Sequence, residues 1–217
     1  MFLAFVIFMD YNNSNIMKFG VHMKEILKGG GKLFLKTIAI NIMCFFIVVS
    51  FSVITTMIFT GTIDSKLSNS GKTCFLIVSQ AVAFCFTCGF IYPELWNRGT
   101  KDSNLVKFKH KNEDKLKGFK IGAVAAVPNY LFLVFLVIAR LGLFPSFPMA
   151  LYKLLNSSVY SFIDVIVGSA VAVSEMSVLR LALLFLLPLI IPAVSGISYI
   201  LGYKNISVGE KFIYKKN

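Results

Sequence analysis

The chain has 217 residues, of which 57% are hydrophobic and 15% charged, and its formal net charge is +12. Soluble domains carry about 25% charged residues, and a chain of this length cannot bury several uniformly apolar helices in a water-soluble core. These values exclude an ordinary soluble domain and predict an all-α, polytopic membrane protein that forms a single membrane domain over residues 1–217.

The N-terminal segment, residues 1–32, is predicted to lie in the cytoplasm. Between Met17 and Lys28 its apolar and basic side chains fall on opposite sides of a helix, a pattern typical of an amphipathic helix on a membrane surface. The glycine run 29–31 is expected to end this helix. Residues 1–9 lack the basic start and cleavage site of a signal peptide, and the sequence leaves open whether Met1 or Met17 is the true start.

Four segments have the roughly 20 apolar residues that a membrane-spanning helix needs. In chain order they are Leu33–Phe59, Thr73–Leu95, Ile121–Leu141 and Val178–Leu201. Around the start of the third segment, small residues recur every four positions, which predicts the close approach of another helix; they are Gly118, Gly122 and Ala126.

Basic residues are concentrated on one side of these spans. The N-terminal region through Lys36, a basic loop at residues 96–120 and a basic tail at residues 202–217 together contain 17 of the 22 basic residues. Cytoplasmic segments carry such an excess of lysine and arginine. Both termini and the loop are therefore predicted to be cytoplasmic, in the cell membrane, against anionic lipid at the cytoplasmic face.

Residues 142–177 are predicted to form an outer helical segment. Asn156, Tyr160, Asp164 and Gly168 recur every four residues opposite an apolar face, which favours an amphipathic helix on the outer surface, or a re-entrant pair. An architecture of five or six spans is the alternative. A fifth span would place the lysine-rich tail outside, against the charge bias.

Polar side chains inside spans are the best candidates for a functional site. Amides and hydroxyls of the first, third and fourth spans fall at a similar depth on the cytoplasmic side, while an amide of the second lies nearer the outside. The candidate polar cavity consists of Asn41, Asn129, Ser195, Ser198 and Gln80. Interhelical hydrogen bonding, worth about 0.6 kcal/mol per bond, is the competing and more common role of such residues.

Prolines inside the spans are candidate helix-break positions. They free backbone carbonyls, which can bind a solute or an ion where they line a cavity. These prolines are Pro128, Pro188 and Pro192.

No motif in the sequence assigns a chemical activity. Cys85 and Cys88 form a C-x-x-C inside an apolar segment, where thiolates are costly, so both are predicted to be packing residues. No catalytic, cofactor-binding or metal-binding residue is predicted. A nucleic-acid partner is not predicted either, because no recognition motif accompanies the basic residues.

Three stretches of the chain resemble a group of uncharacterised bacterial multi-pass membrane proteins, and the likeness as a whole extends over about half of the chain. They are Trp96-Asn97-Arg98-Gly99 followed by DSNLVKFKHKNEDKLKGFKIG from Asp102 to Gly122, RLGLFPSF from Arg140, and GYKNISVGEKFIYKKN from Gly202. The resemblance implies a bacterial cytoplasmic membrane and transfers no functional residue.

The sequence therefore favours a non-catalytic membrane component that works through a membrane or cytoplasmic protein partner. Its basis is the absence of catalytic motifs together with long basic segments. A small transporter, channel or permease subunit is the alternative, and an intramembrane enzyme is a third hypothesis. Whether the protein is an enzyme is left open.

Overall fold

The computed structural model describes residues 2–59, 65–110, 112–143, 147–167 and 173–207. The α-helices of these residues are α1 (Phe2–Phe59), α2 (Ser65–Lys107), α3 (Lys117–Arg140), α4 (Phe147–Leu155), α5 (Tyr160–Val167), α6 (Val178–Leu184) and α7 (Ile190–Tyr203), and no strand occurs among them. Within these described ranges, four stretches are long and apolar enough to cross a membrane: His22–Ile58, Thr73–Lys107, Lys117–Arg140 and Val178–Tyr203. The predicted all-α membrane architecture with four spanning helices is confirmed.

The first two spans are antiparallel. Lys36 of α1 pairs with Glu94 of α2, whereas farther along α1 the Cys44 thiol lies 3.5 Å from the Ala83 carbonyl oxygen, earlier in α2. Residues later in α1 therefore contact residues earlier in α2.

The third and fourth spans are also antiparallel. Gly118 lies against Tyr199, and Gly122 lies against Pro192. The predicted close approach of a helix to the small residues of α3 is confirmed, and that helix is α7. Because Glu25 of α1 also pairs with Lys117 at the start of α3, α1 and α3 run in the same direction.

This topology gives the bundle two distinct ends. At one end α2 and α7 finish and α3 begins; we refer to it as the basic end, because Lys107, Lys117 and Lys204 lie there. At the other end, the far end, α3 finishes at Arg140 and the fourth span begins at Val178.

The glycine run 29–31 does not end a helix, so the prediction of a separate amphipathic helix before the first span is wrong. α1 continues through the run. A side chain at Gly29 would meet the Arg98 guanidinium at 2.5 Å, and one at Gly30 would collide with Val124. Gly29 and Gly30 let α2 and α3 approach α1, and this packing outweighs a helix-propensity cost of about 1 kcal/mol per glycine. The side chains of residues 2–21 lie outside the described part.

The basic loop is shorter than the predicted residues 96–120, because α2 continues to Lys107 and α3 begins at Lys117. The extension of α2 packs on α7: the Trp96 indole N–H donates to the Ile206 carbonyl, 2.9 Å away. Only residues 108–116 connect the two helices. Of the predicted basic tail, residues 208–217 lie outside the described part.

The outer segment is predicted as an amphipathic surface helix or a re-entrant pair, and the structure shows a bent pair of helices. α4 and α5 are separate helices whose axes differ by 87°, joined through a 3₁₀ turn at Ser157–Val159. The chain enters this pair after α3 and leaves it before α6, and both points lie at the far end. The pair therefore enters and leaves on one side of the bundle, which is the re-entrant arrangement; we refer to residues 147–167 as the hairpin.

The three candidate proline positions differ in their effect. The fourth span is interrupted between α6 and α7 by a 3₁₀ turn, Leu187–Leu189, that contains Pro188. Pro128 lies inside α3, which continues through it. Pro192 occupies the first turn of α7, where its missing N–H costs no helical hydrogen bond.

Candidate functional site

The turn between α4 and α5 collects the amide side chains that the sequence singled out. The Asn41 side-chain N–H donates to the Leu155 carbonyl. In return, the Ser158 backbone N–H donates to the Asn41 side-chain oxygen at 3.2 Å. The Asn41 side chain of α1 thus bonds backbone groups on both sides of the turn between α4 and α5.

Gln80 of α2 makes the equivalent pair of bonds from the other side. Its side-chain N–H donates to the Ser158 carbonyl, and its side-chain oxygen accepts from the Ser161 backbone N–H at 2.8 Å. The sequence places Gln80 nearer the outside than Asn41, and the structure shows that both side chains nevertheless bond Ser158.

The third amide, Asn129, lies at the middle of α3, roughly 17 Å from either end of that helix. Its side-chain N–H donates to the Asn156 side-chain oxygen at 3.2 Å, and Asn156 in turn donates to the Tyr152 carbonyl at 3.1 Å. Both asparagines are buried. The hairpin therefore reaches about half-way through the bundle.

These bonds explain how a helix break is tolerated at this depth. Backbone groups freed from a helix in an apolar region must find partners in the protein or in a water-filled cavity. Here the side chains of Asn41 and Gln80 are those partners. The amides act in the described structure as interhelical hydrogen-bonding groups, and the buried Ser161 hydroxyl is left without a partner among the described residues.

The two serines of the candidate cavity lie elsewhere, at the contact between α3 and α7. The Ser198 hydroxyl donates to the Val194 carbonyl of its own helix at 2.7 Å. The Ser195 hydroxyl is fully buried beside Gly122 and has no partner among the described residues. The structure thus separates the predicted cavity residues into an amide group at the hairpin and a serine pair on α7.

An ion pair that the sequence did not indicate joins the two arms of the hairpin. The Lys153 ammonium donates to the Asp164 carboxylate at 2.6 Å and lies 5.6 Å from the centre of the Tyr160 ring. Both charged side chains are partly buried. Four-residue spacing had placed Asp164 on a solvated helix face, whereas its partner is eleven residues away across the bend.

A second network lies at the basic end and connects all four spans. The Lys117 ammonium of α3 donates to Asp102 of α2 at 2.8 Å and to Glu25 of α1 at 2.9 Å. The Tyr199 hydroxyl of α7 donates to Asp102 at 2.8 Å. Asp102, Lys117 and Tyr199 are buried. Because Asp102 and Lys117 fall within the predicted basic loop, the sequence does not indicate this network.

Acidic groups around this network are also paired with cations. Glu94 contacts Lys32, Lys36 and Arg98. In the connection 108–116, burial by itself would raise the pKa of Asp114, but hydrogen bonds from Lys120, His22 and the Leu116 backbone N–H outweigh burial and lower that pKa.

The cysteines differ in their environments, and the exposure of Cys85 does not fit the packing role predicted for it. Cys44 is buried and contacts the Ala83 carbonyl and the Thr87 hydroxyl, each at 3.5 Å. Cys85 is exposed on the apolar surface of α2 and Cys88 is half-buried, and both are free thiols. Among the described residues, no three or more His, Cys, Asp or Glu side chains are grouped so that they could hold a metal ion.

Between α2, α7 and residues 108–116, the basic end also contains a cleft of about 460 Å³. Each of these three sides contributes a lysine: Lys107 at the end of α2, Lys115 in the connection and Lys204 at the end of α7. The Glu113 carboxylate forms an ion pair with Lys115 at 3.1 Å. The lining residues are Ser103, Val106, Lys107, Glu113, Lys115, Ile200, Tyr203, Lys204 and Asn205.

Fold and sites together define a membrane-embedded protein of the polytopic α-helical class, with a re-entrant hairpin and a basic end. Comparison with known proteins finds no matching family model, no similar curated protein and no similar solved structure.

Replacing Asn41 with Leu is expected to loosen the hairpin. It removes one donor and one acceptor, leaving two partly buried backbone groups without these partners, and should lower the free energy of unfolding by about 2 kcal/mol. Amide hydrogen exchange in residues 155–161 should accelerate in detergent. Asn97→Leu, at an exposed position of α2, is the matched control; equal exchange in the two variants would contradict the capping role of Asn41.

Proposed function

We propose that this protein is a non-catalytic membrane component that works through a protein partner bound at its basic end. The observation that carries the proposal is an excess of exposed positive charge there. Six exposed lysines have no carboxylate partner within the described part of the chain; they are Lys24, Lys28, Lys101, Lys107, Lys109 and Lys204. In contrast, the amide side chains of Asn41, Gln80 and Asn129 are used in hydrogen bonds to the hairpin.

The location proposed with this function is a bacterial cytoplasmic membrane, with the basic end and both termini in the cytoplasm. The bias of lysine and arginine supports this orientation. The partner would present an acidic surface to the lysines, because complementary charge favours encounter and register.

A photo-crosslinking amino acid at position 109 of the full chain, in its native cells, tests the proposal. A discrete adduct with a second protein is expected from this position and not from position 143, which is exposed at the far end. Changing Lys101 and Lys107 to Glu should abolish the adduct. Equal adducts from both positions, or none at position 109, would contradict a partner at the basic end.

A transporter or channel subunit is the second candidate function, and the hairpin favours it. Three features suit a permeation path: a polar break at mid-depth, an ion pair between the arms of the hairpin, and a Ser161 hydroxyl with no partner among the described residues. Proteoliposome flux measurements with a panel of ions and small solutes test it. Flux that Asn129→Leu abolishes would support this candidate, and no flux above empty vesicles would count against it.

A further inference from the structure

The cleft at the basic end lies between the last turns of two spanning helices. We propose that it binds the phosphodiester group of an anionic membrane lipid. The proposal does not depend on the protein partner proposed above, although Lys107 and Lys204 belong to both surfaces, and it follows from the depth, the charge and the surroundings of the cleft.

The depth of the cleft matches the headgroup layer. Gly99 of α2 lies against Tyr199 of α7, near the end of the apolar part of the fourth span. Ser103 and Lys107 follow Gly99 by four and eight residues, which is about 6 and 12 Å along the helix. The polar headgroup layer begins at the edge of the hydrocarbon core and is about 5–8 Å thick on each side. The inner part of the cleft therefore falls at the height of lipid phosphates.

The charge of the cleft suits a singly charged group. Lys107, Lys115 and Lys204 contribute three positive charges, and the Glu113 carboxylate offsets one of them. The C-termini of α2 and α7, which end here, each contribute about half a negative charge. The remaining charge is about +1, which a phosphodiester neutralises and a doubly charged phosphomonoester would exceed.

Exposed apolar side chains occur in the same segments of the chain as the lysines of the cleft. Leu105 of α2 and Phe108 and Leu116 of the connection are exposed, and Phe108 is 72% exposed. Large apolar side chains that alternate with lysines at this height would contact acyl chains and glycerol while the ammonium groups reach the phosphate.

Native mass spectrometry of the purified full chain in detergent tests the site. The probes are phosphatidylglycerol, which carries one negative charge, zwitterionic phosphatidylcholine, phosphatidic acid, and soluble glycerol 3-phosphate as a competitor. Retention of phosphatidylglycerol should exceed that of phosphatidylcholine by roughly tenfold, and Lys107→Gln with Lys204→Gln should remove most of this preference. The matched control is Lys24→Gln with Lys28→Gln, two exposed lysines of α1 outside the cleft.

Each other outcome would overturn part or all of the proposal. Equal loss of phosphatidylglycerol in the cleft and control variants would show attraction by overall charge and no site. Displacement of the lipid by millimolar glycerol 3-phosphate would make the ligand a soluble phosphate. Stronger retention of phosphatidic acid than of phosphatidylglycerol would contradict the charge balance. Because no second protein is present, the result is independent of whether the proposed protein partner exists.

Discussion

Replacing Lys117 with Met is expected to lower the free energy of unfolding by about 3–5 kcal/mol, because it removes one partner of a buried ion pair. The Lys117 ammonium lies 2.8 Å from Asp102 and joins α3 to α2 and α1. Without the Lys117 ammonium, the Asp102 carboxylate, which accepts a hydrogen bond from Tyr199, loses a cation that lies beside it. Denaturant titration of the protein in mild detergent measures the change.

A double-mutant comparison separates the ion pair from simple loss of packing. Lys117→Met combined with Asp102→Asn removes both charges, and this double variant should be more stable than Lys117→Met alone. Lys120→Met is the matched control: Lys120 lies on the same helix, pairs with Asp114 and is exposed, so its loss should cost at most about 1 kcal/mol. Equal costs for Lys117→Met and Lys120→Met would show that the buried network does not stabilise the bundle.

The spanning helices could be predicted because their signal is local. A continuous run of apolar residues long enough to cross the hydrocarbon core requires a helix there, whatever the rest of the chain does. The ends of the helices could not be predicted in this way. The glycine run 29–31 and the segment after Leu95 read as a break and a loop, and only contacts with distant helices, such as Gly29 with Arg98, keep them helical.

At the candidate site, too, some features could be predicted from the sequence and others could not. Asn41, Gln80 and Asn129 were found by a general rule, because amides are unusual inside spans. The sequence does not reveal that all three side chains bond the turn of the hairpin. Asn156 and Ser158 lie in a segment whose four-residue polar spacing is typical of a surface helix. The break is stabilised by amides from three other helices, and no local pattern records such bonds.

Replacing Gly202 with Ala is expected to have an effect of similar size to Lys117→Met, through packing alone. A Cβ at Gly202 would lie 2.7 Å from the Trp96 Cα, so α2 and α7 would have to separate. Both atoms belong to backbones in spanning helices, and no flexible side chain can yield. Such overpacking costs typically 1–3 kcal/mol and, where backbones must move, about 3 kcal/mol or more.

The matched control is the same substitution at Gly31 of α1, where an added Cβ meets no atom within 4 Å. Alanine should there stabilise the helix by about 0.5–1 kcal/mol, so the two substitutions should change the free energy of unfolding with opposite signs. Since Ser103 and Tyr203 line the cleft on the two helices that Gly202 brings together, Gly202→Ala should also weaken the retention of phosphatidylglycerol. A Gly202→Ala protein as stable as Gly31→Ala would show that α2 and α7 do not make this close contact.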